Sequence, residues 1–109
     1  MVTVAYKEVI ENIVQTLKSG YKPEKIILFG SCASGKVTPN SDIDMLIIKN
    51  TKKKYGQRWM DVTRLVRHIE RQLPFEPFVI TQDEFKSQIG RNFFLQEIMK
   101  KGKVLYEKN

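Results

Sequence analysis

Two apolar runs interrupt an otherwise mixed pattern: Lys25-Ile26-Ile27-Leu28-Phe29 and Ile43-Asp44-Met45-Leu46-Ile47-Ile48. Runs this short, bounded by turn residues, predict buried strands. Upstream, Val9, Ile10, Ile13, Val14 and Leu17 recur at helical spacing, and Ser19-Gly20 before Pro23 supplies a stop, so a helix precedes the first strand. Downstream, a second helix is predicted from about Gln57, with Val62, Leu65, Val66, Ile69 and Leu73 on one face and Arg58, Arg64, Arg67 and Arg71 largely on the others. Thr81-Gln82-Asp83-Glu84 is a capping box that opens a third helix. Asn92 ahead of Phe93, Phe94, Leu95, Ile98 and Met99 opens a fourth, ended by Gly102 before a short Val104-Leu105-Tyr106 strand.

Between the two strands lies the candidate chemistry: Gly30-Ser31, ten residues, then Asp42-Ile43-Asp44. A glycine at a strand end lets backbone approach a phosphate closely, and Ser31 with the amides after it can donate to phosphate oxygens at the start of a short helix. Asp42 and Asp44 do the opposite job. Residues two apart on a strand share a side, so both carboxylates can face the same divalent ions while Ile43 packs behind them. Two carboxylates about 4 Å apart repel by roughly 4 kcal/mol at an effective dielectric near 20, and Mg2+ is the simplest remedy. A phosphate turn beside paired acids points to nucleotidyl transfer. The bland alternative is an Asx-rich surface loop with Ser41 and Asp42 as turn residues.

The segment from Phe29 to Leu46, with Gly35, Pro39 and Ser41 as its turn residues, resembles the signature of the minimal nucleotidyltransferases of the DNA polymerase beta superfamily. The resemblance implies that Gly30 and Ser31 bind the nucleotide and that Asp42 and Asp44 bind two Mg2+ ions. Family members often carry Arg where Ser34 stands, which leaves Lys36 as the candidate phosphate-side cation. A third acid on a later strand is also implied, one that holds a metal and takes the proton from the attacking hydroxyl. Glu76 is the candidate, in Phe75-Glu76-Pro77-Phe78-Val79-Ile80-Thr81, which looks like the family's third strand. Asp is usual there; Glu is one methylene longer, and Pro77 cannot donate to a ladder, so the strand is expected at an edge or bulged. Asp61 and Asp83 are the other acids that could serve.

With that strand included, the order α-β-β-α-β-α-α-β predicts an α/β (α+β) fold, a small mixed sheet backed by helices. The family resemblance implies AMP transfer from ATP to a hydroxyl acceptor. Minimal members usually work beside a small helical HEPN protein, in toxin–antitoxin-like pairs in which a tyrosine of the HEPN toxin is adenylylated. The alternatives are a non-catalytic nucleotide- or partner-binding module, or adenylylation of a small molecule or RNA.

Composition narrows this further. At 109 residues, 41% hydrophobic and 28% charged, the chain is expected to form one domain, 1–109. No basic-then-apolar leader pattern and no apolar run of about 20 residues is present, so a cytoplasmic protein is expected. A net charge of +7 and the cluster Lys49, Lys52, Lys53, Lys54 suit ATP, RNA or an acidic protein, or else a solvated loop. Lys100, Lys101 and Lys103 suit a helix C-terminus. Cys32, the single cysteine, reads as a small packed residue, although a helix start could lower its pKa. His68 has no second His or Cys for a metal site, and Trp59, Met60, Phe93, Phe94 and Met99 read as core or partner-facing packing rather than base-stacking platforms.

Overall fold

Two-sided burial of the central strands organises the molecule. The computed structural model describes residues 2–38, 40–69 and 74–109. Its elements are α1 (Val2–Gly20), β1 (Lys25–Phe29), α2 (Ser31–Ser34), β2 (Ile43–Ile48), α3 (Tyr55–Val66), β3 (Phe75–Ile80), α4 (Gln82–Gln88), α5 (Phe93–Lys101) and β4 (Lys103–Glu107). The sheet order is β3-β2-β1-β4. Strands β1 and β2 are antiparallel, as are β1 and β4, whereas β2 and β3 run parallel through the α3 crossover.

Helices cover both faces, which is why β1 and β2 read as continuous apolar runs rather than alternating ones. Ile26, Leu28, Ile43, Met45, Ile47, Phe75 and Val79 pack with α1 and with Val62 and Val66 of α3. Ile27, Leu46, Ile48 and Ile80 turn the other way, onto Leu95 and Ile98 of α5, with Phe85 and Ile89 beside them. The expected mixed sheet backed by helices is therefore present, with helices on two sides. No helix among the described residues is long and apolar enough to cross a membrane.

The second helix differs from expectation. It starts at Tyr55 and ends at Val66, with Ile69 buried just beyond it, while Arg71 and Leu73 lie outside the described residues. Arg58 was expected on an outer face, yet it is 7% exposed. The cause is the sheet edge. Strand β3 is an edge strand, and its register with β2 runs unbroken from Ile43↔Phe75 to Ile48↔Ile80, so edge placement alone accommodates Pro77 and no bulge is needed. An edge leaves carbonyls without ladder partners. Arg58 Nη1 donates to Val79 O (3.3 Å), and Tyr55 Oη donates weakly to Pro77 O (3.5 Å).

Arg58 also forks onto Glu84, with Nη1 on Oε1 at 2.8 Å and Nη2 on Oε2 at 3.1 Å. Glu84 is the capping-box residue: its amide donates to Thr81 Oγ1 (3.0 Å), and its Oε1 accepts from the Thr81 amide (2.9 Å). One carboxylate thus closes the start of α4 and fastens it to α3. Asn92 caps α5 as expected, accepting from the Leu95 amide at 3.1 Å.

Candidate active site

The site is built where β1 ends and β2 and β3 begin. Register aligns Phe29↔Asp44 and Asp44↔Glu76, so the three side chains form one row across neighbouring strands, on the face shared with Leu46 and Phe78. Asp42 lies two residues ahead of Asp44 and shares its side. Sequence separation gave no hint that Glu76 would stand directly beside Asp44; the parallel pairing of β2 with β3 brings it there.

Burial and neighbouring charge both act on the middle acid. The Asp44 carboxyl is pushed up to about 6, first by burial and then by the charges of Asp42 and Glu76. Both neighbours are exposed. None of the ion pairs among the described residues reaches these three carboxylates. Among the described residues they form a negative edge without an ion-pair partner.

The phosphate-side half is shaped by Gly30. Its backbone sits at φ 75, ψ −157, and a Cβ there would run into Asp44 Oδ2. Glycine is needed for conformation and for room. The α2 hydrogen bonds begin with the Ala33 and Ser34 amides donating to Gly30 O (3.1 and 3.2 Å). Helix geometry leaves the Ser31 and Cys32 amides ahead of them without intrahelical acceptors, pointing out of the strand end. Gly35 closes α2 in the left-handed region, and Lys36 follows it, exposed.

Two residues that position the acids were not singled out for it in the sequence. Ser41 is buried, and its Oγ accepts from the Thr38 amide at 2.8 Å, which pins the loop just before Asp42; Pro39 lies outside the described residues. Cys32 Sγ donates to Asp42 O at 3.3 Å. Burial, followed by the charges of Asp44 and Asp42, pushes the Cys32 thiol up, so the packed reading holds and a lowered thiol pKa does not. The signal available for both was position: small residues flanking the motif.

Other candidates fall elsewhere. The lysine cluster follows the far end of β2, about five strand residues, or roughly 16 Å, from Asp44. There Lys49 Nζ donates to Tyr21 O (2.8 Å) and Lys53 pairs with Asp61 (2.8 Å). A cavity of about 450 Å³ lined by Tyr21, Lys49, Lys53, Asp61 and Arg64 lies at that end too. Asp61 is thereby engaged with Lys53 and Gln57, and Asp83 sits in the first turn of α4, so neither joins the row. His68 is exposed. Trp59, Met60, Phe93, Phe94 and Met99 are all exposed rather than core. Lys101 pairs with Glu97 in the last turn of α5.

This geometry has known counterparts. A family model described as "Polymerase beta, Nucleotidyltransferase" matches residues 11–109. The chain belongs to that nucleotidyltransferase family. A Methanocaldococcus jannaschii protein named "Putative protein adenylyltransferase MJ0604" is 33% identical over 103 residues, covering 92% of this chain and 97% of its own. A crystal structure described as "a putative nucleotidyltransferase from Sulfolobus solfataricus" superposes with a TM-score of 0.57 at 20% identity, covering 98% of this chain and 81% of that one, a likeness of fold.

In this nucleotidyltransferase the donor set suits a hard cation. Asp42, Asp44 and Glu76 offer carboxylate oxygens alone, and the Asp44 pKa is raised first by burial and then by its two acidic neighbours. Among the described residues no group of three or more His, Cys, Asp or Glu side chains is placed to hold a metal ion. A Mg2+ ion here would draw on one or two of these carboxylates together with substrate phosphates and water.

Proposed function

We propose that this chain transfers AMP from ATP to a hydroxyl of a partner protein. One observation carries the reading: Asp42, Asp44 and Glu76 stand together beside Gly30, an acid row next to a turn that only glycine fits. Gly30 and Ser31 receive the triphosphate through backbone amides, with Lys36 as the nearby exposed cation. Asp42, Asp44 and Glu76 hold Mg2+, two ions in the family's manner. When bound, Mg2+ supplies charge stabilisation for the attacking and leaving oxygens. Glu76, exposed on the edge strand, faces the acceptor and takes the hydroxyl proton as the O–P bond forms and pyrophosphate leaves. The row itself excludes nucleotides that arrive without cations, because carboxylates repel bare phosphates.

A protein acceptor is favoured by the name of the Methanocaldococcus relative. Within the minimal nucleotidyltransferases the acceptor is a tyrosine of a helical HEPN toxin, and we assign this chain the matching antitoxin role, in the cytoplasm. RNA recognition through the basic end of the sheet is the lesser reading, since that end lies away from the acids.

The test is incubation with α-labelled ATP, Mg2+ and the co-purified partner. Label should enter the partner and be lost in Asp42→Asn and Asp44→Asn. An unlabelled partner together with no ATP binding would sink the enzyme reading and leave a non-catalytic module. Full activity in Glu76→Gln would remove Glu76 from proton transfer.

A further inference from the structure

The acid row has a phenol beside it. Tyr55, the first residue of α3, reaches around the open edge of β3 so that its hydroxyl lies 3.5 Å from the carbonyl of Pro77, the residue after Glu76. Its ring packs against Phe78, centroids 6.0 Å apart, and Phe78 lies two residues after Glu76 on the same strand face. The aromatic contacts continue from Phe78 to Phe94 (5.8 Å) and from Phe94 to Phe29 (5.6 Å), the cross-strand partner of Asp44. A chain of rings therefore links Tyr55 to the edge of the row at two points.

We propose that Tyr55 is itself an acceptor, adenylylated within its own chain. The inference rests on the adenylyltransferase reading above, because the donor is the ATP bound at Gly30 and Ser31. In the step, Tyr55 Oη attacks the α-phosphorus of the nucleoside triphosphate, the Oη–P bond forms, the bond from phosphorus to the bridging oxygen breaks, and pyrophosphate leaves. The phenolic proton passes to the Glu76 carboxylate.

Three features favour it. Tyr55 is 45% exposed, so the ring is accessible to a bound nucleotide. Its single hydrogen bond to Pro77 O is at the limit of useful length, so little is lost when the hydroxyl turns toward a phosphate. Intramolecular placement also replaces an encounter between two molecules, an advantage that can reach several kcal/mol of barrier. Modification would fill the acceptor approach with AMP and compete with transfer to a partner.

The experiment uses the purified full chain alone with α-labelled ATP and Mg2+. Cleavage after Lys54 and Arg58 releases Tyr55-Gly56-Gln57-Arg58, which should carry the label; Tyr55→Phe, which keeps the ring on Phe78, should lose it. The labelled fraction per chain should rise at a rate independent of protein concentration. A second readout does not depend on turnover: α,β-methylene ATP with Mg2+ should slow acetylation of Tyr55 by N-acetylimidazole severalfold. Label on other residues with Tyr55 blank, a rate proportional to concentration, or an unprotected Tyr55 while the analogue binds would each overturn the inference. Labelling of a partner without labelling of Tyr55 would overturn it and leave the proposed function standing. Failure to bind ATP at all would overturn both.

Discussion

Replacing Gly30 by Ala tests the link between the phosphate turn and the acid row. Gly30 has φ 75 and ψ −157, a region that is essentially glycine's own, and occupying it with a side chain costs on the order of 1–3 kcal/mol. A second effect adds to that. The new Cβ would run into Asp44 Oδ2, with Asp44 Cγ 3.3 Å away, so either the carboxylate leaves the row or the end of β1 shifts. Gly35 is the internal control: its φ of 82 is also positive, but a Cβ there meets nothing within 4 Å. Gly35→Ala should therefore cost about 1–2 kcal/mol, the left-handed backbone penalty alone. Gly30→Ala should cost about 3 kcal/mol, a large share of a typical total of about 5–15 kcal/mol, and lower the melting temperature by more than about 10 °C.

Urea denaturation at matched slope measures the first quantity, and calorimetric titration with Mg2+ and ATP the functional one, which should fall for Gly30→Ala and hold for Gly35→Ala. Adding Asp44→Ala removes the clashing oxygen, so the double variant should be less destabilised than the sum of the singles by at least about 0.5 kcal/mol. Equal costs at Gly30 and Gly35, with nucleotide binding intact in both, would refute the reasoning.

Further expectations follow from the same geometry. The Asp44 carboxyl sits at about 6 in the fold against an ordinary value near 4, so the native state holds the extra proton between those values. Stability should then decline as pH rises from about 4 to about 6 and stay lower above that, and Asp44→Asn should flatten the decline, raise the neutral-pH melting temperature and abolish nucleotide transfer. Mg2+ should recover part of the lost stability at neutral pH in the wild type, and an unchanged melting curve would argue against metal at the row. Arg58→Lys should cost about 2 kcal/mol in urea denaturation, because a single ammonium cannot fork onto Glu84 while also serving Val79 O; a neutral result would deny the edge its guanidinium. Glu84, held below the usual carboxylate range chiefly by Arg58, contributes stability above its ordinary pKa that is lost as pH falls through the lowered one, and Glu84→Gln should remove that acid-side loss. Gly102→Ala should destabilise by about 1–3 kcal/mol, since its Cβ would press on Ile98 O and Ile27 Cγ2, and thermal melting would show it.

Much of the molecule was legible in local chemistry. Buried strands β1 and β2 announced themselves as apolar runs because both faces are covered, and the caps at Thr81 and Asn92 acted through bonds to residues three positions away. Gly30, Ser31, Asp42 and Asp44 could be singled out because a strand end and a two-residue alternation are short-range facts. What lay beyond reach depended on pairing between distant segments. Pro77 allowed an edge or a bulge, and the placement of β3 outside β2 decided for the edge. That same edge drew Arg58 inward from an outer helix face, because unpartnered carbonyls and the Glu84 carboxylate needed a donor that could serve them together. Glu76 was a candidate by resemblance, and the parallel register set it beside Asp44; Tyr55 carried no signal in the sequence and acquired one when the crossover helix brought its phenol around the strand that bears Glu76. Spacing along the chain determined the candidate half-site made of neighbours, whereas the acid row and its raised pKa arose where the sheet set segments more than thirty residues apart side by side, and the phenol joined that edge from the crossover helix.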